Sequence, residues 1–80
     1  MKMIHIQYFA VLRELAGRSD EAVATDAETA AQLYGELLER YGFTLDPNQL
    51  RVVVNDAFGE WTTPLRDGDE VVFLPPVAGG

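Results

Sequence analysis

The chain has no cysteine, a single histidine, and only six basic residues against thirteen acidic ones. Without cysteine there is no disulfide, no thiolate to ligate a metal and no thiol nucleophile. His5 cannot hold zinc alone, and nothing nearby in the sequence completes a nucleophile–base pair with it. The excess of acid gives a net charge of −7, which repels nucleic acid and anionic lipid and steers toward the chain a partner with a basic surface. The same acidity serves equally to keep a small protein soluble. No apolar run approaches the roughly 20 residues of a membrane span. The opening Met1-Lys2-Met3-Ile4-His5 lacks the apolar stretch of a signal peptide, so the expected setting is soluble and cytoplasmic. No glycine-rich phosphate loop is present. Asp67, Asp69 and Glu70 lack the ligand spacing of a calcium loop and read as a solvated turn. Trp61 and the tyrosines are not interleaved with bases, which argues against a stacking platform for nucleic acid. No resident metal or cofactor is expected.

What is present is enough for one domain. Eighty residues, 48% of them hydrophobic, bury a modest core that regular elements must sustain. Ile4, Ile6 and Tyr8 alternate with His5 and Gln7, the period of a half-buried strand, which puts His5 on the solvent side. Phe9 to Ala16 carries Val11, Leu12 and Leu15 at helical spacing, and Gly17 is placed to end that turn. Glu21 to Thr25 reads as a second strand.

The spacing predicts a helix over residues 29–41. Thr29 and Gln32 have capping-box spacing, and Ala30, Leu33, Leu37, Leu38 and Tyr41 form an apolar stripe opposite Glu36, Glu39 and Arg40. Gly35, costly in mid-helix, suggests close packing there. After a turn at Asp46-Pro47-Asn48, Arg51 to Val54 reads as a strand buried on both faces. Asn55-Asp56 turns into a short strand, Phe58 to Trp61. Asp67-Gly68-Asp69 turns into the last strand, Glu70 to Leu74, which Pro75-Pro76 ends.

Two strands, a helix across a sheet, then further strands make an α+β arrangement. With the outermost strands parallel in the centre of a mixed sheet it is a ubiquitin-like β-grasp, although the order alone admits other α+β folds. The domain is expected over residues 1–74 and a tail over 75–80.

The tail is the one place where chemistry suggests itself. Pro75-Pro76-Val77-Ala78-Gly79-Gly80 spans up to about 20 Å when extended, stiffened at its base by proline. Its last side chains shrink to nothing, which suits a narrow channel. A frayed terminus is the ordinary alternative.

Several segments resemble the small, sulfur-carrying subunit of molybdopterin synthase, often called the MoaD family. Phe9-Ala10-Val11-Leu12-Arg13-Glu14-Leu15-Ala16-Gly17 is similar to its opening motif and Val54-Asn55 to a strand end. Pro64-Leu65-Arg66-Asp67-Gly68-Asp69-Glu70-Val71 and Phe73-Leu74-Pro75-Pro76-Val77-Ala78-Gly79-Gly80 are similar to its closing motifs. Residues 26–50 share only the capping and hydrophobic pattern. The resemblance implies that an E1-like adenylyltransferase uses ATP to convert Gly80 into an acyl adenylate, and that a sulfur donor then leaves a thiocarboxylate. It implies a large, catalytic subunit, in a heterotetramer, where the sulfur is passed to cyclic pyranopterin monophosphate to build a dithiolene. The carrier itself is then a non-catalytic subunit. Gly79 and Gly80 would be the reacting end. Phe9, Arg13, Phe58 and Leu74 would dock the partner, with Pro75, Pro76, Val77 and Ala78 running into it. Many family members carry an aromatic residue at the position of Leu74. Carriers for thiazole, cysteine or tRNA thiolation, and ubiquitin-like protein modifiers, share the tail; the opening motif favours the molybdopterin branch.

Overall fold

The computed structural model describes residues 1–75. Eight elements follow one another: β1 (Lys2–Gln7), α1 (Ala10–Ala16), β2 (Asp20–Thr25), α2 (Ala30–Tyr41), a 3₁₀ turn (Pro47–Gln49), β3 (Arg51–Val54), β4 (Ala57–Gly59) and β5 (Glu70–Leu74). The strands form one mixed sheet in the order β2-β1-β5-β3-β4. Its centre is the parallel pair β1–β5, in register His5↔Glu70 to Gln7↔Val72. The other pairings are antiparallel. This is the β-grasp arrangement expected from the element order.

One face of the sheet carries Ile4, Ile6, Val23, Val52, Val71 and Phe73, all buried, and α2 covers it with Ala30, Leu33, Tyr34 and Leu37. The predicted stripe needs one exchange. At about 100° per residue, Tyr34 falls beside Ala30 and Leu37, while Leu38 lies on the shoulder. Accordingly Tyr34 is buried, its hydroxyl donating to the Leu45 carbonyl at 2.8 Å, and Leu38 is exposed. Tyr34 stacks in turn near Phe43, Phe73 and Trp61.

Both ends of α2 are satisfied. The Thr29 hydroxyl accepts from the Gln32 amide at 3.3 Å, and the Ala30 and Ala31 amides donate to the Thr63 and Trp61 carbonyls. The reciprocal half of the expected capping box is shifted: Gln32 Oε1 accepts from Glu28 N, not from Thr29. Gly42 closes the helix in the left-handed conformation, φ 67°.

Three other expectations change. A Cβ at Gly35 would meet nothing within 4 Å, so no close packing explains that glycine. In β3 only Val52 is buried; Val53 and Val54 are partly covered and Arg51 is exposed, because no layer covers the second face of the sheet. The short strand is Ala57–Gly59, and Trp61 lies beyond it in a turn, its ring stacked on Phe73 at 5.6 Å. The hairpin before it turns on Asn55 and Asp56, both at positive φ (51° and 67°), as a two-residue turn between twisted strands requires.

His5 stands on the uncovered face, half-exposed, with Nε2 3.1 Å from Asp20 and Nδ1 3.5 Å from Glu70. A second carboxylate has a structural part that the sequence patterning does not reveal. Glu21, on the edge strand, accepts hydrogen bonds from both Tyr8 and Tyr41 on Oε2 and from Arg18 on Oε1. Its side chain is only 9% exposed. Burial alone would push this carboxyl up, but the two phenols and the charges of Arg18 and Arg40 outweigh it and hold it below the ordinary value. The same burial and the neighbouring carboxylate push both phenols up. The network ties β1, β2 and the end of α2 together.

An acid held down in the folded state stabilises at pH above its unfolded value and loses that contribution as pH falls through the folded one. Glu21→Gln should therefore destabilise by about 1–3 kcal/mol at neutral pH, the worth of hydrogen bonds to a charged group. In urea unfolding, the gap from the parent chain should narrow below pH 4.5, the ordinary glutamate value. Gly35→Ala should act the other way and raise stability by about 1 kcal/mol, read as a higher urea midpoint.

Candidate functional site

Alternation decides what the uncovered face of the sheet presents. Val71 and Phe73 point into the core, so Val72 and Leu74 point away from it. Register then sets Val53 opposite Val72, Arg51 opposite Leu74 and Phe58 opposite Val53. Phe58 is 72% exposed, and the Arg51 guanidinium lies over its ring, 5.8 Å from the centroid. A cation at that distance from an aromatic face is attracted to it.

Beside these residues is a groove of about 740 Å³, lined by Phe58, Trp61, Arg51, Leu74 and Pro75 among others. It opens where β5 gives out. Because β1 and β5 run parallel with Gln7 opposite Val72, Phe9 leaves β1 at the same end of the sheet. Phe9 is 44% exposed and precedes α1 without a side-chain cap, so its ring contributes surface more than core. Arg13 is exposed on α1 and does not line the groove.

The structure thus brings Phe58, Leu74 and Pro75 together and sets Phe9 at the same end. Pro76, Val77, Ala78, Gly79 and Gly80 lie outside the described residues. Arg51 and Trp61 belong to the groove although sequence reasoning placed them only as strand residues. Arg51 was legible in principle: it alternates with Val52 and so shares a face with Val53. Trp61 was not, since its position depends on a turn stacking back on Phe73.

Among the described residues no cluster of three or more His, Asp or Glu side chains is placed to hold a metal ion. Nor does any helix there have the length and apolarity to cross a membrane. Neither the groove nor the apolar face contains a nucleophile with an adjacent base. This end of the molecule is shaped for contact, with β5 leading out of it.

A ubiquitin-like fold whose last strand delivers its tail beside an apolar face defines the class of small β-grasp carriers. The chain belongs to the ThiS family, whose model matches residues 6–80. It is 38% identical to the molybdopterin synthase sulfur carrier subunit of Escherichia coli, over 98% of this chain and all of that protein. Its structure is similar to that of one chain in a protein–protein complex of subunits 1 and 2 of molybdopterin-converting factor from Helicobacter pylori, with a TM-score of 0.68, 26% identity, and coverage of 98% of this chain and 99% of that one. It is also similar in fold to small archaeal modifier protein 1 of Haloferax volcanii, with a TM-score of 0.79 at 22% identity, covering 96% of this chain and all of that one.

Phe58→Asp separates contact from core. The side chain is so exposed that folding stability should change by no more than about 0.5 kcal/mol. Binding to a large synthase subunit should weaken at least about tenfold, since an unpaired charge is costly inside an interface. Calorimetric titration beside a urea melt reads both; unchanged affinity removes Phe58 from the docking face.

Proposed function

We propose that this chain is the sulfur carrier of a molybdopterin synthase, working in the cytoplasm through Gly80. The observation that carries the reading is the match to sulfur carrier subunits of that synthase along essentially the whole chain. The placement of β5 agrees with it. The strand ends on Leu74 beside the apolar groove, so a partner seated on that face receives whatever the tail bears.

A carboxylate is a poor electrophile. In this reading an E1-like adenylyltransferase joins Gly80 to AMP at the expense of ATP and releases pyrophosphate. A sulfur donor then displaces AMP and leaves the thiocarboxylate. The large subunit binds the carrier over Phe9, Phe58 and Leu74, with Arg13 at the margin. Pro75, Pro76, Val77, Ala78 and Gly79 thread the terminal sulfur to cyclic pyranopterin monophosphate. The catalytic groups of that step belong to the large subunit. The complex of subunits 1 and 2 from Helicobacter pylori supports an assembly of this kind, and a heterotetramer accommodates the two sulfurs that one dithiolene needs. Gly79 and Gly80 suit a narrow channel because a glycine adds no side chain and admits backbone angles that other residues resist.

Incubation with the adenylyltransferase, ATP and a sulfur donor should exchange oxygen for sulfur on Gly80, visible by intact mass spectrometry. Deleting Gly80 should abolish the product, since an error of about 1 Å in placement costs roughly 100-fold in rate. Gly79→Val should fail as well, and neither change should shift the melting temperature. Sulfur transfer that survives the deletion would overturn the proposal. An isopeptide adduct on another protein in place of the thiocarboxylate would point instead to a modifier.

A further inference from the structure

The groove beside Phe58 and Leu74 is lined by two charged side chains, Arg51 and Glu60. Arg51 is exposed on β3. It stands in register with Leu74, and its guanidinium lies over the Phe58 ring, 5.8 Å from the centroid. Glu60 follows β4, in the turn where its amide donates to Thr63 Oγ1 at 2.8 Å. Among the described residues no carboxylate is within ion-pair distance of Arg51. The ion pairs there join Met1 to Asp26, His5 to Asp20 and Glu70, and Arg18 to Glu21. An aromatic face attracts a cation but offers no oxygen to the five N–H donors of a guanidinium. In water that costs nothing, because solvent hydrates the fork. Under a partner it does. Arg51 starts opposite Leu74 and ends over Phe58, so a surface seated on both residues covers it as well. A guanidinium taken out of water without a counter-charge is strongly unfavourable.

We infer that the partner surface seated on this groove carries a carboxylate that pairs with Arg51, set among apolar side chains that meet Phe58 and Leu74. The inference rests on the reading of this face as the docking site of the large synthase subunit. A carboxylate matches the planar guanidinium with two parallel N–H···O bonds, and a neutral acceptor leaves the charge uncompensated. The pair also fixes register, since the neighbouring Leu74, Val72 and Phe58 are apolar and give little direction. The sign is opposite to the one set by the overall charge. At long range a chain of net charge −7 draws a basic surface; at contact the groove selects an acid. Arg51 thus determines specificity, because a wholly basic or apolar surface would leave it buried and unpaired.

The test is the kinetics of binding to the immobilised large subunit. Arg51→Leu keeps apolar bulk beside Leu74 at an exposed site, so the variant should fold, as a urea melt will show. It should dissociate at least about tenfold faster than the native chain, as when one partner of a buried hydrogen-bonded charge pair is truncated. Arg51→Lys, which keeps the charge without the fork, should recover part of that loss. Arg66→Leu removes the same charge from an exposed turn before β5 and should leave dissociation unchanged. Neutralising the acids of the large subunit one at a time should find one whose effect is non-additive with Arg51→Leu. Equal or tighter binding by Arg51→Leu, as a more acidic chain meeting a basic face would give, would overturn the inference. So would a scan that finds no coupled acid. A native chain that does not bind the large subunit at all would overturn the docking reading itself, and the inference with it.

Discussion

The parallel pairing of β1 with β5 is the contact on which the rest of the structure depends. It joins residues 5–7 to residues 70–72, nearly the full length of the chain apart. In the sheet, β2 pairs with β1 alone, and β4 is reached from β5 only through β3. Without the central pair the sheet falls into a two-stranded piece, β2–β1, and a three-stranded one, β5–β3–β4, and a two-stranded piece is at best marginal in water. Closing so long a loop is entropically costly before any contact rewards it, so the hydrophobic layer above must supply the return. It does: Ile6 and Val71, level with each other in that pair, are both fully buried, and Leu33, Tyr34 and Leu37 belong to the same core.

The direction of that pair also decides the chemical geometry. Parallel strands finish at the same end, so Phe9 emerges with the root of the tail, and the beginning of β1 is left at the opposite pole with Lys2. Antiparallel strands in the same positions would have set Lys2 beside the end of β5. The apolar outer face needs this order too, because register with β3 sets Arg51 against Leu74 and, through Val53, brings in Phe58. The outer face and the end of the sheet at which β5 finishes thus follow from one pairing.

Acidic residues outnumber basic ones two to one, and several accept hydrogen bonds that fix turns and caps, among them Asp46, Asp67 and Asp69. Glu21 differs from these in being a nearly covered carboxylate, satisfied by two phenols and Arg18. Buried charges persist only when hydrogen bonds replace the lost water, and here three side chains from different segments do so. Its presence lets the edge strand β2 anchor the C-terminal turn of α2, in a domain too small to waste a contact.

Much of this was legible in the residues themselves. Alternation located β1 and β5, the β-branched run located β3, and the Thr29 cap with Gly42 bounded the main helix within a residue, because these signals are local: they depend on neighbours a few positions away. The closing motif identified the family before any coordinates. What remained was non-local. Whether Tyr34 or Leu38 enters the core depends on which direction the sheet approaches α2. Trp61 leaves its expected strand because Phe73 and Tyr34 offer its ring a stacking surface. Gly35 has no packing partner, which sequence spacing could not reveal. Glu21 reads as one more surface acid until Tyr8 and Tyr41 arrive from two other elements. By itself the sequence determined the main elements, their order and the family; only the tertiary structure decided which side chains meet, because that depends on how separate elements are turned toward one another.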